Sequence, residues 1–187
     1  MLVKKVAEAT KPLAFDLAEF QKPKSGEKLI IDMSVVVEPL QGMMQKKASV
    51  SVNLPGWSDW EIECDEGKAG GGDDTAPAPL MYFSAGVAFC LMTHIQMAAH
   101  QLKLSLKSLR LEQRSRFSSD FNMESMHPKD NIGAGESFET FIHIESDEPS
   151  KKITEFVEWC EQACMAGKSI ANAVPLSTSI ILNGAKL

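Results

Sequence analysis

Between residues 29 and 37 apolar and polar positions alternate, with Ile31, Met33, Val35 and Val37 on one side. This is the two-residue period of a β-strand. After a loop around 39–47, residues 49–53 repeat the alternation through Val50 and Val52. A third run follows Pro55-Gly56, with Trp60, Ile62 and Cys64 pointing one way and Asp59, Glu61 and Glu63 the other. Three such runs predict an antiparallel meander with one buried and one solvated face. Cys64, in phase with the apolar side, reads as a small buried hydrophobe.

Upstream, residues 1–28 form a lysine- and proline-punctuated lead-in. Leu13, Leu17 and Phe20 have helical spacing there and predict a short helix before Pro23. Downstream, residues 67–79 are a Gly/Asp/Pro connection, and the pattern over 80–102 becomes that of a long apolar helix. Residues 104–117 return to alternation: Leu109, Leu111 and Phe117 share one face, and Arg110, Glu112, Arg114 and Arg116 the other. A polar loop over 118–136 and a strand over 138–145 complete a hairpin. Asp147-Glu148-Pro149 then opens a second helix. Its apolar stripe is Ile153, Phe156, Val157, Cys160 and Cys164, and Gly167 is expected to end it. A turn over 172–175 leads to a last strand, 176–182. The order βββ-α-ββ-α-β predicts an α+β fold, a single domain over 29–187 with antiparallel sheets packed around a buried central helix.

Composition sharpens this in three places. No Asp, Glu, Lys or Arg occurs from Thr75 to Leu102. A bilayer span of about 20 residues would fit, but Thr93, His94, Gln96, His100 and Gln101 are costly in hydrocarbon. A helix apolar nearly all round also suits a protein core, and no membrane is expected. The net charge of −6 equals the balance of residues 59–74 alone, which hold seven carboxylates and one lysine. That excludes a nucleic-acid partner, which requires a positive surface. The acidic stretch reads as a solvated strand edge and loop, without the carboxylate spacing of a calcium site. Four scattered cysteines (Cys64, Cys90, Cys160, Cys164) without a CxxC pair predict no disulfide scaffold, no metal and no cofactor. The amino terminus has no apolar stretch of secretory type, so the expected compartment is the cytoplasm.

Two segments carry a resemblance. The first is Pro79-Leu80-Met81-Tyr82-Phe83-Ser84-Ala85-Gly86-Val87-Ala88-Phe89-Cys90. It is similar to the start of the central helix in the OsmC/Ohr family, the osmotically inducible protein C and organic hydroperoxide resistance proteins. The second is Cys164 followed by Ser169-Ile170-Ala171-Asn172-Ala173-Val174-Pro175, which resembles that family's second cysteine and its approach to the last strand. The resemblance extends over about residues 29–183 and implies an intertwined homodimer of cysteine peroxidases. Cys90 would attack an organic hydroperoxide, and Cys164 would resolve the sulfenic acid to a disulfide that an external dithiol reduces. Phe83, Phe89 and Met97 would form the apolar substrate pocket.

The chain departs from the catalytic pattern at two points. Leu80 stands where those members carry a glutamate, and no arginine precedes Arg110. A thiol of ordinary pKa is only about 3% thiolate at pH 7, so a nearby base or cation is needed. His94, four residues after Cys90 on the same helical face, and Arg114 or Arg116 are the candidates. The alternative is a non-catalytic member that binds a small apolar ligand or a thiol metabolite.

Overall fold

In the computed structural model, residues 2–120, 124–125 and 127–187 are described. Residues 121–123 and 126, part of the loop expected over 118–136, lie outside them. The chain falls into two compact units, Met1–Tyr82 and Phe83–Leu187.

The first unit is a four-stranded antiparallel sheet in the order β1-β4-β3-β2. Its strands are β1 (Val3–Val6), β2 (Met33–Pro39), β3 (Lys46–Val52) and β4 (Asp59–Cys64). The alternation sets the register: Val35 pairs with Val50, and Val50 with Trp60. All the apolar positions therefore share one face, as their spacing requires. Two expectations fail for the stretch 1–28. It contributes β1, which pairs with β4. The helix expected around Leu13, Leu17 and Phe20 is absent, and Leu13 is fully exposed, because that spacing meets no surface to pack against.

The buried and solvated sides of the meander are also the reverse of those expected. Met33, Val35, Val37 and Trp60 are exposed, Val35 at 55%. On the other side, Ser34 and Ser49 are buried. There Thr10 accepts a bond from the Ser49 hydroxyl at 3.1 Å, and the Ala9 N–H donates to Asp59 at 2.8 Å. Glu61 joins Lys4 at 2.6 Å and Lys47 at 3.2 Å across the same face. Lys4, the larger hydrogen-bonding influence, and Lys47 hold the Glu61 carboxyl below the usual carboxylate range.

Nor is the acidic stretch merely solvated. Asp65 is fully buried and accepts from the N–H groups of Glu66 (2.8 Å), Asp73 (3.2 Å) and Thr75 (3.0 Å), and from the Thr75 hydroxyl (2.8 Å). The Thr75 N–H is the first of the bonds that hold its carboxyl below the ordinary value. One glycine of the Gly70-Gly71-Gly72 run is fixed by this closure. A Cβ on Gly72 would lie 1.9 Å from the Glu66 carbonyl oxygen.

The helix α1 (Pro79–Leu102), which enters the second unit at Phe83, precedes a long hairpin of β5 (Leu106–Ser119) and β6 (Gly133–Ser146). The helices α2 (Ser150–Ala163) and α3 (Met165–Ala171) follow. Leu91, Ile95, Ala98 and Ala99 of α1 join Leu104, Phe156, Cys160 and Cys164 in one buried cluster, against which Leu109, Leu111 and Val157 pack. The core thus forms where the helical stripes and the apolar strand face were expected to converge. The central helix, however, is buried along one stripe only, and Met81, Phe89 and Met97 stand exposed. α1 is long and apolar enough to cross a membrane by length and composition alone, a property it shares with core helices.

Two further expectations are corrected. The second helix breaks at Cys164, whose backbone (φ −69°, ψ 101°) is extended, and Gly167 lies inside α3 rather than ending a helix. The last strand over 176–182 reduces to β7 (Ile181–Leu182) paired with β8 (Ala185–Lys186). Asn183 (φ 52°) and Gly184 (φ 82°) turn between them, the positive-φ pair of a tight hairpin.

Candidate functional site

The break at Cys164 brings the two cysteines of the expected pair together. Cys164 ends α2 and begins α3, and the Gly167 N–H donates to its Sγ at 3.4 Å. Cys90, half-buried on α1, packs against the core cluster that contains Cys164. Residues 74 apart in the sequence are thus neighbours. Burial, with Cys164 only 3% exposed, pushes its thiol pKa up; the Gly167 N–H opposes this and the neighbouring Cys90 adds to it. Cys160, one helical turn earlier, is fully buried and likewise pushed up by burial. Cys160 belongs to the core.

Cys164 also opens onto a cavity of about 810 Å³ inside the second unit. One wall is Phe83, Val87 and Leu91, at the four-residue spacing that shares a helical face. The hairpin supplies Gln113, Phe117, Phe138 and Thr140 from its inward side, and α3 supplies Gly167 to Ala171. Phe83, Phe117 and Phe138 contact one another, with ring centroids 5.6 to 6.3 Å apart and two of the three contacts edge-to-face. Gln113, the amide on this side of β5, donates to the Ser84 carbonyl at 3.1 Å and to the Ser115 hydroxyl at 3.2 Å.

Of the three expected pocket residues, Phe83 lines the cavity. Phe89 and Met97 do not; Phe89 is 70% exposed, on a face of α1 turned away from the core. Phe117, Phe138 and Lys168 were missed. The first two follow from the in-phase positions of the paired strands, whereas nothing in the sequence marks Lys168. Arg114 and Arg116 stand on the outward side of β5, opposite Leu111, Gln113 and Phe117. Arg114 pairs there with Glu139 at 3.6 Å. Within one chain, neither arginine shares a face with the thiols. His94 is half-buried on the Cys90 side of α1, with no polar partner among the described residues. Among those residues no cluster of three or more His, Cys, Asp or Glu could hold a metal ion. The arrangement sets two free thiols close to one another, one of them beside an apolar cavity.

Comparison with known proteins bears on this arrangement. No curated protein matches the sequence. Among solved structures, an OsmC-like hydroperoxide resistance protein from Jannaschia sp. aligns over 84% of this chain and 97% of its own, at 21% identity and a TM-score of 0.53. An OsmC-like protein from Mycoplasma pneumoniae aligns over 79% and 90%, at 15% identity and 0.52. An OsmC-like protein of unknown function from Vibrio cholerae aligns over 74% and 92%, at 10% identity and 0.52. These likenesses establish the α+β fold. Residues 71–179, more than half of the sequence and including both cysteines, match the family model described as OsmC-like protein. With the fold and the sequence match in agreement, the chain belongs to the OsmC-like protein family.

Proposed function

We propose that this protein is a thiol-dependent peroxidase that reduces organic hydroperoxides through Cys90 and Cys164. The observation that carries the reading is the packing of Cys90 against the buried cluster that contains Cys164, the thiol that lines the cavity. In the first step the Cys90 sulfur attacks the distal peroxide oxygen. The O–O bond breaks, an alcohol leaves with a proton, and Cys90 becomes a sulfenic acid. Cys164 then displaces water from that sulfur and the disulfide forms. An external dithiol reduces it, is itself oxidised to a disulfide, and restores both thiols. In this reading His94, four residues after Cys90 on the same helical face, takes the Cys90 proton.

The protein acts as a homodimer, in the reducing cytoplasm that suits four free cysteines. Support for the dimer comes from the two apolar surfaces one chain leaves open: the sheet face with Met33, Val35, Val37 and Trp60, and the α1 positions Met81, Phe89 and Met97. The Jannaschia neighbour in the fold is named an OsmC-like hydroperoxide resistance protein, which agrees with a hydroperoxide substrate.

A second reading, a non-catalytic member that binds a small apolar ligand or a thiol metabolite, draws on the outward placement of Arg114 and Arg116. Turnover separates the two. Purified protein with dithiothreitol or a lipoyl dithiol should consume cumene hydroperoxide faster than the dithiol alone, and Cys90→Ser should abolish the difference. A rate equal to that of the free dithiol would leave ligand binding as the function.

A further inference from the structure

The cavity is apolar at its aromatic wall, yet it contains a cation with no partner. Lys168, on α3, lies four residues after Cys164, the residue that caps this helix, and both line the cavity. Lys168 is half-buried and makes no ion pair among the described residues. Two carboxylates also line the cavity, Glu136 and Glu161, and both are exposed. Glu136 is held by the Ser118 hydroxyl, and neither carboxylate reaches Lys168. The water-screened negative charges thus sit at the rim, while the sheltered positive charge is left for a ligand to neutralise.

We infer that the cavity selects organic acids: an apolar body lies against Phe83, Phe117 and Phe138, and its carboxylate pairs with Lys168. A charge-assisted hydrogen bond in a partly dry site is about twice as strong as a neutral one. Lys168 is then the residue that sets specificity, favouring a carboxylate-bearing hydroperoxide over a neutral one of equal size. The inference rests on the cavity being the substrate site, as the peroxidase reading requires. It does not depend on turnover.

The test is calorimetric titration of the full-length protein, kept reduced, with the matched probes 4-phenylbutyrate and 4-phenylbutan-1-ol at pH 7 and low salt. The acid should bind about tenfold more tightly than the alcohol. Lys168→Gln should remove that preference while leaving alcohol binding unchanged, and Lys168→Arg should keep it. Equal affinities for acid and alcohol in the parent protein, or acid binding unmoved by Lys168→Gln, would overturn the inference but leave the cavity as a binding site. Failure of both probes to bind would overturn the inference together with the substrate site on which it rests.

Discussion

The two units of the chain solve the problem of burial in opposite ways. Phe83–Leu187 encloses an apolar cluster in which Ile95, Phe156 and Cys160 are almost wholly removed from water. Among its described residues, Met1–Tyr82 buries Ala9, Ser34, Ser49 and Asp65, and no large aliphatic or aromatic side chain. One unit is therefore held mainly by the hydrophobic effect. The other relies on backbone ladders, an ion-pair triad and a carboxylate that gathers loop amides, each contributing modestly once exchange with water is counted. Alternation fixes which residues share a face; it does not fix which face is covered.

This contrast can be broken in four places. The largest effect is expected at Phe156, where truncation to alanine should cost about 3–5 kcal/mol, measured by urea unfolding. A loss below about 1 kcal/mol would mean that the cluster is not the core of the second unit. Next is Val35→Glu on the open sheet face. A substitution at an exposed site changes the stability of a single chain by about 0.5 kcal/mol or less. A buried, unpaired charge at a dimer interface should raise the dissociation constant at least about a hundredfold. Light scattering after size-exclusion chromatography should then give a monomer, and an unchanged dimer mass would show that this face does not meet a second copy.

The third concerns Asp65. Its carboxyl is held below the ordinary value by loop N–H groups, the Thr75 N–H first, so its stabilising contribution belongs to the ionised form. That contribution is complete above the unfolded pKa of about 3.9 and is lost as pH falls through the lower native pKa. Thermal melts of the parent should show this acid limb, and Asp65→Asn should lower the melting temperature at pH 7 and flatten the limb. Identical acid limbs would assign the dependence to other groups. The smallest effect is expected at Arg114, where alanine should change stability by about 0.5 kcal/mol or less and leave peroxide turnover unchanged. A large loss of turnover would show that this arginine reaches a thiol across a subunit boundary.

Much of the fold was legible in the sequence. Residues 79–102, the strand phases and the stripe Phe156, Val157, Cys160 each follow from a local period. What escaped depends on longer-range packing. The spacing at Leu13, Leu17 and Phe20 is helical, but an isolated short helix without a surface to bury against does not persist. Residues 176–179 have no strand beside them, and the hairpin that follows is announced by Asn183-Gly184 instead. At the site, the cysteine pair came from the resemblance and Phe83 from its position near Cys90. Phe89 lies off the cavity because adjacent helical residues point about 100° apart. Lys168 escaped because its meaning depends on which carboxylates do not reach it, a property of distance that sequence spacing does not encode.

The glycine run at 70–72 has the composition of a linker and would be chosen by anyone dividing the chain into pieces. It is a poor place to cut. A break there parts Asp65 from Asp73 and Thr75, and removes the one residue type that fits beside the Glu66 carbonyl. Any dissection of this protein into parts should therefore leave the whole turn attached to the sheet that closes it.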